Sequence, residues 1–445
     1  MKILIISAEV WKDNTNGGNV LSNLFNGINA DFAQIYCNPG IPKNNICNLY
    51  YQMTDKMIID GILKRKEIGK IFNIDKSYET INYKVDCRDY RNNKFMNFIK
   101  SNLLHSIKEI SWNLSKWNND KLDNFIKGFN PDIIFAPCYG SHFMLKLTRY
   151  VKKIAKVPVI SYISDDHYSL KQYSFSPIYW INRVILRKNL RKTFKYYDLV
   201  YTMTEEQLNE CKKAFNCNIK ILKKGGSFNT NDLKKEKILN NPIKLVYAGG
   251  LYLNRWKTLE GIAKAIKKVN KNEKKFVMEI YSGNKLSKRQ LKYINDGENS
   301  IFKGLVSQDE LKDIYYNSDI ALHVEGLDLK HKLTTRISFS TKIIDLLFSK
   351  CAVMVVAWNK HSGYTYLKKN NLAICIDKLN NIEKELDKIY NNKNIIIETM
   401  KRDLDYGIKN HNIDNIYKEL INDFEILTNI SKGKKDYINY ENVTN

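Results

Sequence analysis

Residues 336–358 join a helix-like segment to a strand-like one, and they constrain the fold more than any other part of the sequence. Apolar residues recur at helical spacing from Ile343 to Leu347, which predicts a helix that ends near Ser349. Residues 352–358 then form a continuous apolar run of strand length, without alternation. Such a run is typical of a parallel strand that is buried on both faces, so the pattern predicts an α/β fold.

The start of this helix carries the chemistry of an anion site. Ser340 and Thr341 supply hydroxyl groups and Lys342 supplies a cation, next to the free backbone N–H groups that favour phosphate at a helix N-terminus. Asp345 follows one turn later on nearly the same face, where a carboxylate can accept hydrogen bonds from the hydroxyls of a ribose. The pattern predicts a diphosphate site beside a ribose site. In the alternative interpretation, Ser340 only caps the helix, and Lys342 and Asp345 form a solvated face.

A strand, a glycine turn and a helix follow one another near the N-terminus. The apolar residues 2–7 lead through Gly17 and Gly18 into a helical pattern. This order is compatible with phosphate binding, although the turn lacks the GxGxxG spacing of a dinucleotide site. A tight turn that requires positive φ explains both glycines equally well.

The same order recurs in the second half of the chain. A strand predicted at residues 243–248 leads through a glycine pair to Arg255 and Lys257, and a helix is expected from about Thr258. The planar guanidinium of Arg255 can hold two phosphate oxygens, and Lys257 adds a mobile positive charge. We therefore predict that this turn also contacts the diphosphate.

Polar loops follow two neighbouring strands predicted at residues 131–136 and 157–163. The first loop carries His142, and the second carries Asp166 and His167. Because open α/β sheets place their sites at the carboxyl ends of parallel strands, these three side chains are candidates for catalysis. A lone histidine is more often structural, and that alternative stays open here.

Size and charge limit the class of partner. The chain has 445 residues, enough for two domains with separate cores, and 43% of them are hydrophobic, as expected of a globular protein. Lys and Arg total 72 against 47 acidic residues, and the resulting charge of +25 favours nucleotide phosphates, nucleic acid or an anionic membrane surface. Eight cysteines without a CxxC pair indicate a reducing compartment and no zinc site.

We expect a cytoplasmic protein, with the inner face of the cell membrane as a second location. No secretory signal opens the chain, and no segment approaches the ~20 apolar residues of a spanning helix. A helix predicted at residues 178–197 mixes six cations with apolar residues. Its cations form either an ordinary solvated face or a face that meets anionic lipid.

Residues 245–367 resemble the family-4-type (group 1) glycosyltransferases, and in particular the subgroup that builds bacterial surface polysaccharides. The resemblance rests on the Arg-x-Ser-x-Ser-x-Lys pattern of residues 336–342, and Asp345 departs from it because the family has Glu there. It implies the α/β GT-B fold, with two Rossmann-like domains that face each other across a cleft. The implied division is an acceptor domain at 1–223, a donor domain at 242–400, helices that pack back on the first domain at 401–430, and a disordered tail at 431–445.

The resemblance also implies roles for individual residues. Glu325 would replace the first of two family glutamates, because counting back from Asp345 leads to Ile337. The implied catalytic residues are His142, Asp166, His167 and Glu325. The implied donor-binding residues are Gly17, Gly18, Arg255, Lys257, Ser340, Thr341, Lys342 and Asp345.

The implied activity is transfer of a sugar from a nucleotide-diphosphate sugar to a glycan or lipid-linked acceptor, with the anomeric configuration retained. The family needs no metal or other cofactor for this reaction. Two alternatives are a sugar-nucleotide 2-epimerase of the same fold and a basic protein that binds membranes or nucleic acid. Nucleic acid is the least expected partner, because no recognition motif accompanies the charge.

Overall fold

The structure, a computed structural model, describes residues 1–13, 16–74, 102–226 and 237–431, without the side chains of Asn16 and residues 102–106. The chain divides into two compact units. The first comprises Met1–Leu170, Ser174–Lys223 and Asp414–Asn445, and the second comprises Lys171–Tyr173 and Lys224–Ile413. Parts of the predicted linker (227–236) and the predicted tail (432–445) lie outside the described residues.

The first unit is built on one eight-stranded sheet in the order β4-β3-β2-β1-β5-β6-β7-β8. Its strands are β1 (Lys2–Ser7), β2 (Asp31–Tyr36), β3 (Leu49–Gln52), β4 (Lys70–Asn73), β5 (Ile133–Phe135), β6 (Val159–Tyr162), β7 (Leu199–Thr202) and β8 (Ile219–Ile221). Every neighbouring pair is parallel except β3 with β4. The order reverses between β1 and β5, which makes their carboxyl ends the switch point of this sheet.

Helices cover this sheet and close its core. They are α1 (Asn16–Phe25), α2 (Asp55–Lys64), α3 (Asn102–Leu114), α4 (Asp120–Phe129), α5 (His142–Ala155), α6 (Pro177–Phe194), α7 (Glu205–Ala214) and, from the end of the chain, α16 (Ile413–Ser431). Asp423 of α16 is buried, accepts a hydrogen bond of 2.7 Å from the Tyr201 hydroxyl and pairs with Lys220. These contacts attach the C-terminal helix to β7 and β8.

The second unit has an entirely parallel six-stranded sheet in the order β11-β10-β9-β12-β13-β14. Its strands are β9 (Ile243–Ala248), β10 (Phe276–Tyr281), β11 (Ser300–Gly304), β12 (Ile320–Val324), β13 (Ala352–Val356) and β14 (Ile374–Ile376). All five residues of β13 are buried, as its continuous apolar sequence requires. The order reverses between β9 and β12, so the switch point lies between these two strands.

The helices of the second unit follow the same plan. They are α8 (Arg255–Val269), α9 (Lys288–Ile294), α10 (Gln308–Tyr316), α11 (Leu329–Thr334), α12 (Lys342–Leu347), α13 (Ser362–Lys369), α14 (Ile382–Asn391) and α15 (Asn394–Asn410), with a 3-10 turn at Leu379–Asn381. The α/β class is confirmed, with helices and strands in alternation. Among the described residues, no helix combines the length and the hydropathy that crossing a bilayer requires.

Two predicted elements were too long at their carboxyl ends. The strand predicted to reach Trp358 ends at Val356, and the helix predicted to reach Ser349 ends at Leu347. In contrast, the helix expected from Thr258 begins three residues earlier, at Arg255. This last difference matters for function because it places Arg255 in the first helical turn and not in the preceding loop.

Asp403 is an ionisable residue in an otherwise apolar position. It lies on α15 with no exposed surface, and one of its oxygens accepts a hydrogen bond of 3.1 Å from the Val353 backbone N–H of β13. Its other oxygen has no hydrogen-bond partner among the described residues. Burial raises the pKa of Asp403 to about 8, and the Val353 hydrogen bond and the charge of Arg402 offset this only in part.

We expect Asp403→Asn to stabilise the protein increasingly as the pH rises. Between pH 4 and pH 8 the unfolded chain releases the Asp403 proton while the folded protein keeps it, so wild-type stability falls across this window. The amide avoids this loss and can still accept the Val353 hydrogen bond. The difference in the free energy of unfolding should grow from near zero at pH 4 to about 1 kcal/mol or more at pH 8, as measured by urea denaturation.

The matched control is Asp309→Asn, because the Asp309 side chain is 92% exposed. That variant should stay within about 0.5 kcal/mol of the wild type at every pH. A gap between Asp403→Asn and the wild type that does not change from pH 4 to pH 8 would contradict this account of Asp403.

Candidate functional site

The loops that leave β9 and β12 bring charged side chains together at the switch point of the second unit. Open parallel sheets bind ligands at such a point, because the connections on either side diverge and leave the carboxyl ends of the strands uncovered. Arg255 follows β9, and Glu325 directly follows β12. Two residues from distant parts of the sequence therefore meet at this edge of the sheet.

Arg255 and Glu325 form a two-pronged ion pair. The Nη2 group of Arg255 donates to Glu325 Oε1 at 2.8 Å, and Nε donates to Oε2 at 3.1 Å. The Glu325 side chain is only 4% exposed and that of Arg255 only 16%. The Thr258 hydroxyl also donates to the Glu325 backbone carbonyl at 2.7 Å. Helix α8 therefore holds both the side chain and the backbone of Glu325.

The turn before α8 is shaped to deliver Arg255 to this position. Leu253 and Asn254 both adopt left-handed backbone conformations, with φ near 57° and 58°. The Asn254 side chain donates to Asp328 at 2.9 Å, and His331 lies 2.7 Å from the same carboxylate oxygen. Asn tolerates the left-handed region better than most residues, and this hydrogen bond fixes it there.

Charge pairing outweighs burial for both partners of the ion pair. Burial opposes ionisation of Glu325, but the adjacent Arg255 guanidinium holds the pKa of that carboxyl below its ordinary value. Burial likewise opposes the charge on Arg255, and Glu325 reverses the effect and raises the pKa of the guanidinium. Both groups therefore stay charged at neutral pH.

Lys342 brings a second cation to the same edge. Although the residue is exposed as a whole, its Nζ atom lies 3.4 Å from the Ala248 carbonyl at the end of β9. A Cβ atom on Gly249 would come within 2.8 Å of that Nζ, so a side chain at this position would displace the Lys342 ammonium. Partial burial and the charge of Arg255 lower the pKa of Lys342. The positive charges of Lys342 and Arg255 repel each other, and an anion bound between them would offset that repulsion.

A neutral histidine lies beside the ion pair. His323 precedes Glu325 by two residues on β12, and its Nε2 atom is 3.7 Å from Glu325 Oε1. Burial lowers the pKa of His323 to about 3, so the ring carries no charge at physiological pH. Its Nε2 atom is buried and has no hydrogen-bond partner among the described residues. Sequence alone does not indicate His323, because a histidine inside an apolar strand looks like a core residue.

Asp345 has a partner that the sequence did not reveal. Lys224, whose side chain is 9% exposed, donates from Nζ to Asp345 Oδ1 at 2.6 Å. The two residues are 121 positions apart, so helix periodicity could not have shown the contact. Half of the Asp345 side chain remains exposed. Lys224 thus holds one carboxylate oxygen of Asp345, while half of the side chain stays accessible to solvent.

The predicted hydroxyl cap does not form at α12. This helix has only six residues, and its N-cap residue, Thr341, has helical backbone angles and makes no side-chain capping hydrogen bond. Ser340 is half-buried and accepts a backbone hydrogen bond of 3.0 Å from Ile343 through its carbonyl. The expectation that a Ser or Thr hydroxyl caps this helix is therefore wrong, and Lys342 is the cation at its start.

Lys257 differs from Arg255 and Glu325 in its exposure to solvent. It is exposed, and its ammonium lies 5.6 Å from the centre of the Trp256 ring. Its role in binding the diphosphate stays a prediction that no contact supports.

In the first unit, Gly17 and Gly18 occupy the first turn of α1, next to the switch point of that sheet. A Cβ atom on Gly18 would lie 2.0 Å from the Lys12 carbonyl oxygen, so the close approach of two backbones requires glycine there. A Cβ atom on Gly17 would lie 2.6 Å from Glu9 Oε2. Glu9 is an exposed carboxylate just beyond the end of β1, and the sequence analysis did not select it.

His142 begins α5, and the amino end of that helix is already occupied by a carboxylate. Glu109 of α3 accepts hydrogen bonds of 2.9 Å from the backbone N–H groups of both His142 and Phe143. The His142 ring lies 3.0 Å from the side-chain nitrogen of Asn189. Glu109 therefore plays the part that a bound anion would play at this helix end.

Asp166 serves the structure of its loop. Its side chain is 1% exposed, and it accepts hydrogen bonds from Arg183 Nη2 at 3.0 Å and from the Ser169 backbone N–H at 2.8 Å. The neighbouring His167 packs against Gly140, and burial lowers the pKa of its ring. A catalytic role for either residue stays a prediction, and the contacts of Asp166 explain its presence without one.

We expect Arg255→Ala to lower the free energy of unfolding by roughly 3 kcal/mol, because it leaves the Glu325 carboxylate buried without its cation. Adding Glu325→Gln to the same chain should restore part of that loss, since the remaining group is neutral. Urea denaturation followed by circular dichroism measures both values.

Lys257→Ala is the matched control for this prediction, since it removes an exposed cation from the same helical turn. It should change the free energy of unfolding by less than about 0.5 kcal/mol. An equal loss in Arg255→Ala and Lys257→Ala, or no recovery in the double variant, would show that the ion pair does not have the proposed structural weight.

No protein-family model matches this sequence, and no curated protein matches it. Solved structures do match this chain in fold, over nearly all of its length. Sucrose-phosphate synthase from Thermosynechococcus elongatus aligns with a TM-score of 0.62 at 10% identity, over 96% of this chain and 98% of the synthase. HepE from Anabaena, solved in complex with UDP and glucose, aligns with a TM-score of 0.59 at 11% identity, over 96% of this chain and 100% of HepE.

TarM, of which an S. aureus variant has also been solved, aligns with a TM-score of 0.60 at 12% identity, over 95% of this chain and 98% of TarM. Identities this low establish a shared fold and no finer relationship. The fold is the α/β GT-B fold of glycosyltransferases, with one Rossmann-like unit built on each of the two sheets.

Proposed function

We propose that this protein is a glycosyltransferase that takes a sugar from a nucleotide-diphosphate donor. The observation that carries the proposal is the pair of cations, Arg255 and Lys342, at the switch point of the second sheet. Glycosyl transfer releases a diphosphate, whose negative charge grows as the bond to the sugar breaks. Positive groups that are already in position stabilise that charge without reorganising during the reaction.

The geometry of Arg255 suits a phosphate ligand. Glu325 occupies its Nε and Nη2 atoms, and among the described residues Nη1 makes no hydrogen bond. The guanidinium is therefore held rigid on one side and can donate from the other. We propose that Nη1 of Arg255 and Nζ of Lys342 hold the phosphate oxygens, and that Glu325 positions Arg255. We also propose that the Glu325 carboxylate contacts the sugar of the donor.

Asp345 is the proposed ribose ligand. Lys224 fixes one of its oxygens, and its exposed half can accept hydrogen bonds from the two ribose hydroxyls. Aspartate is one methylene shorter than the glutamate of the resembling family, and the ion pair with Lys224 holds one of its oxygens in place.

We propose that no metal or other cofactor takes part. A divalent cation in a sugar-transfer site neutralises the diphosphate, and Arg255 and Lys342 offer two positive charges for the same purpose. Retention of the anomeric configuration is part of the proposal, as in the resembling family.

We place the acceptor on the first unit, and propose a glycan or a lipid-linked glycan made for a bacterial surface polysaccharide. The loops after β1 and β5 carry Glu9 and His142 at the switch point of that sheet, and His167 follows β6. These three polar side chains are our candidates for orienting an acceptor hydroxyl. HepE, whose structure contains UDP and glucose, supports the class of donor.

Donor binding tests the proposal directly. A thermal-shift panel of UDP-, GDP-, ADP- and CDP-sugars should identify one nucleotide class that raises the melting temperature. With that donor, Lys342→Ala should weaken binding by about 10-fold or more, and Arg255→Lys should do the same because it keeps the charge but loses the fork. Donor hydrolysis should fall by about 100-fold in Lys342→Ala.

Lys267→Ala on α8 is the matched control, since Lys267 is exposed and should leave binding and hydrolysis unchanged. If Lys342→Ala and Arg255→Lys both bind and hydrolyse the donor as the wild type does, the proposed site is wrong. Formation of an epimeric sugar nucleotide in the absence of acceptor, detected by chromatography, would instead assign the protein as an epimerase.

A further inference from the structure

Helix α6 in the first unit presents an apolar face to solvent. Ile181 is 59% exposed, Val184 57%, Ile185 46% and Ile178 42%, and Phe175 just before the helix is 87% exposed. These residues are not isolated, because Ile178, Ile181 and Ile185 recur at helical spacing on one side. A contiguous apolar face of this kind is unusual on a soluble surface and indicates a binding partner.

The same face becomes strongly basic towards the end of the helix. Lys188, Arg191, Lys192 and Lys195 are exposed and continue the helical spacing of the apolar residues. Together with Val184 and Arg187 they line a shallow depression. The sequence contains no Asp or Glu from residue 167 to residue 197, so no acidic side chain of this segment neutralises these cations.

The opposite side of α6 is fixed to the protein core. Arg183, Leu186, Leu190 and Phe194 are buried, and Arg183 donates to the Ser169 carbonyl at 2.8 Å as well as to Asp166. The exposed face is therefore carried on a rigid support. From Ile178 to Lys195 it extends over about 26 Å, given the rise of ~1.5 Å per helical residue.

We propose that this face of α6, from Phe175 to Lys195, docks on an anionic lipid bilayer. The apolar half enters the boundary between headgroups and acyl chains, and the cationic half contacts lipid phosphates. A soluble polyanion would explain the lysines and arginines but would gain nothing from five exposed apolar side chains. A bilayer surface satisfies both halves, and this complementarity favours lipid over nucleic acid or a free polysaccharide.

Vesicle flotation of the full-length protein tests the proposal. Wild-type protein should bind vesicles of phosphatidylcholine with 30% phosphatidylglycerol at least about tenfold more strongly than pure phosphatidylcholine, and 0.5 M NaCl should weaken that binding. The variant Lys188→Gln/Lys192→Gln/Lys195→Gln should lose about tenfold or more of its affinity for the anionic vesicles. The variant Phe175→Ser/Ile178→Ser/Ile181→Ser should lose a similar amount.

Two variants serve as matched controls. Lys267→Gln/Lys271→Gln/Lys274→Gln removes the same charge from exposed positions of the second unit, and Leu63→Ser/Leu114→Ser/Ile238→Ser removes three exposed apolar side chains elsewhere. Both should bind anionic vesicles as the wild type does. The thermal shift produced by the donor should be unchanged in all four variants, so failure of membrane docking can be told apart from failure of the donor site or of folding.

Three kinds of result would overturn the proposal. The first is a vesicle assay in which the wild type does not bind, or in which both α6 variants bind as strongly as the wild type. The second is tight binding of heparin or duplex DNA that depends on the lysines but not on Phe175, Ile178 and Ile181, which would assign the face to a soluble polyanion. The third is a dimer in light scattering that the apolar variant dissociates, which would make the face an interface between two copies.

Discussion

The ion pair between Arg255 and Glu325 connects the two strands on either side of the switch point in the second unit. Arg255 follows β9 and Glu325 follows β12. The two strands are neighbours in the sheet, so the pair joins two loops whose residues are 70 positions apart in the sequence. Because both groups are largely buried, neither tolerates the loss of the other. The pair is neutral as a unit, and Lys342 together with the open edge of the Arg255 guanidinium supplies the positive field that an anion would experience. The two cations of the proposed anion site are therefore already in position in the structure without a ligand.

Patterns local in sequence predicted much of this fold. The apolar runs of β9 and β13 predicted buried parallel strands. The glycine turn after β9 predicted the loop that leads to Arg255. The sequence indicates Arg255 and Lys342 as cations next to turns, and in the structure Arg255 lies in the first turn of the helix after β9 while Lys342 Nζ lies 3.4 Å from the last carbonyl of β9. The strand predictions succeeded because strand burial and parallel connection leave few alternatives for where a βα loop emerges. The binding roles of Arg255 and Lys342 stay predictions. The subgroup suggested by the resemblance stays a prediction, since the structural neighbours share only about a tenth of their residues with this chain.

Contacts between distant segments could not be predicted in this way. Lys224 reaches Asp345 across 121 positions, and Glu109 caps α5 from 33 and 34 positions away, although neither residue stands in a recognisable motif. Asp166 is a candidate for catalysis because it follows a strand end, and its partners Arg183 and Ser169 became visible only in the structure. In each case the sequence indicated where a polar group lies along the chain, and the partner that defines its role was set by tertiary packing.

The most direct measurement for the central claim is a crystal structure of the protein with its preferred nucleoside diphosphate, with UDP, GDP and ADP tried in parallel. The account predicts a phosphate within hydrogen-bonding distance of both Arg255 Nη1 and Lys342 Nζ, with the ribose hydroxyls on Asp345 and the Glu325 pair intact. A nucleotide bound away from the carboxyl ends of β9 and β12, or one whose phosphates contact neither cation, would contradict it.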